Sequence, residues 1–163
     1  MKNSQLTNNY VEVKRSSIHN KGIFAKKNVP KNTFIIEYTG EKISKKEGTK
    51  RDKQSLKHTR TTYIFELTER YDIDGSSDTN TAKYANHSCD PNCKISIRKQ
   101  SDENRHIWLR AARNIKKGEE LTFDYGFSAN EKLYECKCNS KQCIGFIVAK
   151  DERKKLKTIA LRR

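Results

Sequence analysis

Between positions 84 and 93 the chain concentrates groups able to bind or orient a ligand. The string Tyr84-Ala85-Asn86-His87-Ser88-Cys89-Asp90-Pro91-Asn92-Cys93 holds two cysteines, a histidine, two asparagines and an aspartate. Such residues favour turns, and turns carry function more often than they fill cores. Nearer the C-terminus, Cys136-Lys137-Cys138-Asn139-Ser140-Lys141-Gln142-Cys143 sets three thiols within eight residues. Gaps of one and four residues let those sulfurs converge, and zinc takes four such ligands in a tetrahedron. The fourth must come from elsewhere, and Cys89, Cys93 and His87 are the candidates. Zinc would then clamp the C-terminal segment against the first string. Cysteine is a rare choice for a lysine-rich surface, which favours zinc over unligated thiols, and thiolate-rich sites are usually structural.

Two further segments carry usable groups. Leu121-Thr122-Phe123-Asp124-Tyr125-Gly126-Phe127 reads as a short strand ending in aromatic residues and a phenol. Asn20-Lys21-Gly22-Ile23-Phe24-Ala25 sets a glycine before an apolar run, where backbone can approach a ligand closely. Taken singly each is weak, since a lone glycine is usually a turn and a strand tyrosine usually core.

The elements that must position these groups are short. Residues 10–15, 34–38, 63–67, 71–73, 94–98, 106–110 and 121–123 have strand character, and 94–98 with 106–110 flank a polar turn as a hairpin. Residues 1–9 are polar and expected to fray. Residues 44–57 are heavily charged and would make at most an exposed helix with almost no apolar stripe. Residues 150–163 form a basic tail, an amphipathic helix with a thin face of Leu156, Ile159 and Leu161. Many short strands with little helix indicate a mainly β architecture of α+β type. A chain of 163 residues has room for one domain.

Lys and Arg number 35 against 20 Asp and Glu, a formal charge of +15. That excess attracts polyanions or acidic protein surfaces, unless it serves only to solubilise the chain. Hydrophobic residues make up only 33% but gather into strand-like runs, which argues against wholesale disorder. No apolar run is long enough for a membrane-spanning helix. Met1-Lys2-Asn3-Ser4-Gln5 lacks the apolar core of a signal peptide. A reducing, intracellular compartment is therefore expected, where the five cysteines, all in the second half, favour metal over disulfides.

In this order the motifs resemble the SET-domain protein lysine methyltransferases that carry a zinc-binding post-SET tail. The resemblance runs from about Tyr10 to Phe146. It rests on His19-Asn20-Lys21-Gly22-Ile23-Phe24-Ala25, Phe34-Ile35-Ile36-Glu37-Tyr38-Thr39-Gly40-Glu41, Tyr63-Ile64-Phe65, Asn86-His87-Ser88-Cys89-Asp90-Pro91-Asn92, Glu120-Leu121-Thr122-Phe123-Asp124-Tyr125-Gly126 and the cysteine triplet. It implies a SET fold of several small curved β-sheets, with the Asn86 and Tyr125 segments forming a pseudoknot. The implied domains are a SET domain over 10–127, a post-SET zinc motif over 132–148 and a basic tail over 149–163.

The implied activity is that of a protein-lysine N-methyltransferase with S-adenosylmethionine as methyl donor and one structural zinc. Lys21, Gly22, Ile23, Lys83, Tyr84, Asn86, His87, Tyr125 and Phe146 would contact the cofactor. Tyr63 and Tyr125 would line the site of transfer. Cys89 would join Cys136, Cys138 and Cys143 as the fourth zinc ligand, leaving Cys93 free. Phe123 would help set the product state and suggests di- or trimethylation. The resemblance implies histone-like tails or other basic, lysine-bearing segments as substrate, in nucleus or chromatin, in a prokaryotic cytoplasm or nucleoid, or in a host cell. Nucleic acid could meet the basic surface and tail.

The sequence departs from the family in two places. Asn20 stands where a glycine is usual, and Asn tolerates left-handed backbone. Lys83 stands where arginine is usual, losing a planar donor. These departures favour the alternative of a catalytically weak SET-fold module that binds nucleic acid or a protein partner. A small zinc-dependent nucleic-acid-binding protein would leave the Asn86 and Tyr125 strings unexplained.

Overall fold

The computed structural model describes residues 9–58, 61–99, 101 and 104–160, with side chains through 156. The expected fraying of the N-terminus falls almost wholly on residues 1–8, outside the described residues. In chain order the elements are β1 (Val11–Arg15), β2 (Lys21–Ala25), β3 (Phe34–Tyr38), β4 (Glu41–Ser44), α1 (Lys45–His58), β5 (Ile64–Glu66), β6 (Tyr71–Asp74), a 3-10 turn (Thr81–Tyr84), β7 (Asn86–His87), β8 (Cys93–Lys99), β9 (Arg105–Ala111), β10 (Thr122–Phe123) and α2 (Arg153–Ala160). The strands form small sheets: β1-β2, β10-β7, β3-β9-β8 and β4-β6-β5. This is the mainly β architecture of small sheets that the sequence indicated.

By contacts, the described residues fall into two compact units. One comprises the chain up to Thr33, Tyr84–Lys94, and the chain from Arg110 onward; the other comprises Phe34–Lys83 and Ile95–Leu109. In the first, β1 and β2 are antiparallel, with Val11 opposite Ala25 and Arg15 opposite Lys21. The turn between them contains Asn20 at φ 39°. Its carbonyl accepts the Ser16 N–H at 3.0 Å. A short polar side chain thus supports the left-handed backbone for which glycine is the usual choice.

The 115–121 segment then runs along β2. Ala25 N–H donates to Glu119 O at 2.9 Å, and Leu121 N–H to Ile23 O at 2.8 Å. Next, β10 pairs in parallel with β7, Thr122 opposite Asn86 and Phe123 opposite His87. Buried Asn92 braces the join: its Nδ2 donates to Glu120 O at 2.8 Å and its Oδ1 accepts Thr122 N–H at 3.0 Å. The Asn86 and Tyr125 strings therefore lie side by side. The core of this unit includes fully buried Ile23, Val29, Ile115, Leu121 and Val148.

In the second unit the β4-β6-β5 sheet sets Glu41 opposite Asp74. Facing carboxylates repel. Arg51 of α1 relieves the repulsion by donating from one nitrogen to Glu41 at 2.7 Å and to Asp74 at 2.8 Å. Lys45 likewise reaches Glu66 and Asp72, both at 2.7 Å. Gly48 is the only buried residue of α1. The helix is held to its sheet by ion pairs, which explains how it forms without an apolar stripe. Strands β2, β4 and β7 escape prediction from sequence: β2 reads only as a short apolar run after a glycine, β4 carries a single buried residue, Ile43, and β7 is two polar positions long. The tail helix forms as α2, with Leu156 half-buried. The Ile159 side chain and Leu161 lie outside the described residues.

Candidate functional site

Asn86 is 6% exposed. Its Nδ2 donates to the Lys21 carbonyl at 3.0 Å and to Glu120 Oε1 at 2.7 Å. The Ser16 hydroxyl donates to the same carboxylate, at 2.8 and 2.9 Å to its two oxygens. Gly22 makes room for this arrangement, since a Cβ there would collide with the Glu120 carboxylate. The glycine, the asparagine and the glutamate are one unit of geometry. Beside them the Lys21 ammonium lies 5.2 Å from the centre of the Tyr84 ring, and Ile23 is fully buried. Sequence reasoning does not single out Glu120. Its partners are 34 and 104 residues away along the chain, and a second glutamate before a strand carries no local signal.

His87 is 2% exposed, and its imidazole is used within the protein. Tyr125 N–H donates to Nδ1 at 3.2 Å, so the ring proton sits on Nε2. That atom lies 3.6 Å from Cys89 Sγ. Burial lowers the His87 pKa to about 4, with Asp124 opposing and Arg153 assisting, so the ring is neutral near pH 7. One small residue thus touches both the tyrosine strand and a cysteine of the metal cluster. The Tyr125 hydroxyl donates to Ala85 O at 3.0 Å. Its ring belongs to an aromatic row, 4.9 Å from Phe123, 5.4 Å from His87 and 5.6 Å from Phe127, with Tyr134 a further 5.9 Å from Phe127.

The sulfurs of Cys89, Cys136, Cys138 and Cys143 all lie within 4.8 Å of one another. Zn–S bonds of about 2.3 Å in a tetrahedron set sulfurs about 3.8 Å apart, and Cys89 Sγ is 3.8 Å from Cys136 Sγ. Two main-chain amides point at sulfurs, Cys89 N–H to Cys138 and Gly145 N–H to Cys143, each at 3.4 Å. Gly145, at φ 83°, makes the bend that aims the second of these. Amide donors favour thiolates. Burial pushes Cys89 up to about 11 and raises Cys136 as well; burial also opposes ionisation of Cys138, but hydrogen bonds from the Cys89 amide and Ser140 bring it to about 6. A divalent cation among them would hold all four ionised. The donor set and spacing fit zinc. Cys93 lies outside the cluster, buried, its pKa pushed by burial up to about 12. The exposed ring of Phe146 comes three residues after the last of these cysteines, and its carbonyl is 3.9 Å from Cys89 Sγ.

Tyr63 and Lys83 belong to the other unit. The Tyr63 carbonyl accepts the Tyr38 hydroxyl at 2.8 Å and Gly75 N–H at 3.0 Å. Its ring borders a cavity of about 290 Å³ that is also lined by Arg51, Ser55, His58 and Asp74. The Lys83 ammonium lies 5.8 Å from the Tyr63 ring centre and donates to Ser76 O and Asp78.

With this geometry in hand, comparison with known proteins is decisive. The SET domain profile matches residues 20–126. The chain belongs to the SET-domain family. Among its relatives, the Aspergillus oryzae "Histone-lysine N-methyltransferase, H3 lysine-4 specific" is 38% identical over 141 residues, 84% of this chain and 11% of that protein. The Saccharomyces cerevisiae protein of the same name is 37% identical over 137 residues, 82% of this chain and 13% of the other. "Histone-lysine N-methyltransferase trithorax" of Drosophila virilis is 35% identical over 134 residues, 82% and 4% respectively. The matched region thus spans between 4% and 13% of the length of these relatives.

The SET match takes in Asn20, Gly22, Tyr63, Asn86, His87, Cys89, Glu120 and Tyr125, and ends before the cysteine triplet. The C-terminal segment beyond residue 126 is fastened to the SET domain by Arg153, 7% exposed. Its guanidinium donates to Cys89 O at 2.6 Å, Val148 O at 3.0 Å and Asp124 Oδ2 at 3.0 Å. A single α2 side chain therefore joins the cysteine turn to the residue before Tyr125. Arg153→Ala would take the guanidinium donor from the Cys89 and Val148 carbonyls and from Asp124, which keeps the Lys150 and Gly126 amides, and is expected to lower stability by about 2–4 kcal/mol. A chemical denaturation curve matching the parent would contradict this.

Proposed function

We propose that this chain transfers methyl groups from S-adenosylmethionine to lysine side chains of histone-like tails or other basic segments in chromatin. The observation that carries the reading is the interlock of Asn86, Glu120 and Gly22 beside Tyr125 in a SET domain whose relatives are named histone-lysine N-methyltransferases. When bound, S-adenosylmethionine supplies an electrophilic methyl group on a sulfonium. Lys21, Gly22, Ile23 and Asn86 would hold it, together with Tyr84 and Phe146 of the same unit. His87 would contribute through main chain, its imidazole being engaged by Tyr125 N–H and Cys89.

Tyr125 donates its hydroxyl proton to Ala85 O, a bond that orients the oxygen's lone pairs. Together with the neighbouring ring faces, they stabilise positive charge at the reacting centre. The target lysine must be neutral to attack. Leaving water beside a cation lowers its pKa, so no dedicated base is needed. Tyr125 would serve to align nitrogen and methyl, the role that the family resemblance also gives Tyr63. Cys89, Cys136, Cys138 and Cys143 hold one structural zinc.

The test is transfer of labelled methyl to free histone H3, nucleosomes and an unrelated basic protein. No transfer to any of them by zinc-loaded protein would overturn the proposal. Phe123 is apolar where a phenol could anchor a crowding water. Di- or trimethyl product is therefore expected by mass spectrometry, and only monomethyl product at long times would contradict it. Because a +15 chain repels a basic tail, nucleosomes should be better substrates than free peptide at low salt, with the advantage lost as salt is raised.

Glu120→Gln removes the charge that fixes the Asn86 amide. Losing one charge-assisted hydrogen bond costs about 1.5–3 kcal/mol, so the KM for S-adenosylmethionine should rise about tenfold or more while kcat changes less. A fall confined to kcat would assign Glu120 a different role.

A further inference from the structure

On α1 the charges are sorted by face. Lys46, Lys50, Lys53 and Lys57 recur at spacings of four, three and four, and all are exposed. At 3.6 residues per turn they fall within an arc of about 60° and extend about 16 Å along the axis. The glycine that marks the buried side, Gly48, lies on the opposite face, where a Cβ would meet the Asp72 carboxylate. The basic residues turned toward the sheet, Lys45 and Arg51, are consumed by Glu66, Asp72, Glu41, Glu47 and Asp74. The two carboxylates of the helix, Glu47 and Asp52, are rotated off the lysine stripe. Glu47 binds Arg51 at 2.9 Å and reaches Lys50 only at 3.9 Å. Among the described residues, no carboxylate pairs with Lys46, Lys53 or Lys57. A face that merely solubilised would mix both signs.

We propose that this outer face of α1 docks on the phosphate backbone of double-stranded nucleic acid. The stripe fits that partner better than an acidic protein. Between its lysines stand only Thr49 and Gln54, with no aromatic or aliphatic anchor, and lysine is depleted at protein–protein interfaces, which need such anchors. Duplex DNA carries one charge per about 1.7 Å of axis, so the length of the stripe faces about ten charges. Flexible ammonium groups meet phosphates as point charges. The cavity bordered by Tyr63 is lined on α1 by Arg51, Gln54, Ser55 and His58, so it opens along the Gln54 edge of the stripe and on the side away from the lysines. This deepens the nucleic-acid contact expected of the basic surface and rests on that reading, but not on methyl transfer.

The test is fluorescence anisotropy of a labelled 30-base-pair duplex of arbitrary sequence, titrated with the whole chain between 50 and 200 mM salt. Changing Lys46, Lys50, Lys53 and Lys57 together to glutamine should weaken binding at least tenfold and make the slope of log K against log salt shallower by about 3.6, since each of the four phosphate contacts contributes about 0.9. The same four positions as arginine should bind within about twofold of the parent. A control that changes exposed Lys26, Lys31, Lys116 and Lys117 to glutamine loses the same formal charge and should retain most of the affinity. Equal losses in both glutamine variants, or a folded stripe variant binding like the parent, would overturn the assignment to α1 while leaving nucleic-acid contact elsewhere intact. A parent that binds no duplex, or poly-glutamate competing as well as DNA at equal charge, would overturn the nucleic-acid reading itself.

Discussion

Replacing Tyr125 with phenylalanine is expected to lower the proposed methyl-transfer kcat by about 10²–10³-fold, the effect of deleting one preorganised polar group at a site of charge development. The substitution removes a single oxygen. The ring keeps its neighbours Phe123, His87 and Phe127, and the main-chain bond from Tyr125 to His87 is untouched. What is lost is the bond to Ala85 O and the oriented lone pairs that this bond fixes. The stability cost should be modest, about 0.5–1.5 kcal/mol for one hydrogen bond. Binding of S-adenosylmethionine, measured by calorimetry, should stay within about threefold. Activity and stability therefore separate, and single-turnover kinetics should show the deficit in the chemical step. A variant retaining more than a tenth of the parent kcat would remove Tyr125 from the reaction.

Stripping the proposed zinc is expected to have the second large effect. Cys89 lies 47 residues before Cys136, which lies seven before Cys143, so a zinc ion there would close the C-terminal segment onto the cysteine turn. Zinc binding in small folded units is worth about 10–16 kcal/mol, far more than any one side-chain contact here. Elemental analysis should find one zinc per chain. Chelation, or Cys143→Ala, should abolish most methyl transfer and expose residues 137–141 to trypsin, although zinc performs no chemistry in the reaction. The loss arises because Cys89 and His87 connect the cluster to the Tyr125 strand. Cys93→Ala should keep its zinc, since that thiol is outside the cluster. Full activity of verified zinc-free protein would break the proposed connection.

Most of the site was legible in the sequence because its residues come in strings. Asn86 to Asn92, Glu120 to Gly126 and the cysteine triplet each hold several functional side chains at fixed local spacing, and spacing survives without coordinates. The strands evident from sequence alternate or run apolar; β4 and β7 escape it because they have almost no apolar content to betray them, and β2 because its apolar run, Ile23 to Ala25, is short. The α1 segment shows the same limit. Its charged composition was plain, but which lysines point outward and which are consumed by Glu41, Glu66, Asp72 and Asp74 depends on a sheet formed from other parts of the chain.

By itself, then, the sequence determined the family resemblance, the mainly β fold, three of the four converging thiols and the tyrosine on which the reaction is placed. Through the family resemblance the sequence also named Cys89 as the fourth, and the tertiary structure brings its sulfur to the other three while Cys93 stays outside the cluster. The tertiary structure turned His87 inward as a neutral link between Cys89 and Tyr125. It brought forward Glu120 and Arg153, which had no local signature, as the groups that fix Asn86 and fasten the C-terminal segment. The reason is physical. Local spacing records which side chains can act together along one stretch of backbone, whereas a buried charge or ring finds its partners only when distant segments fold together and exclude water.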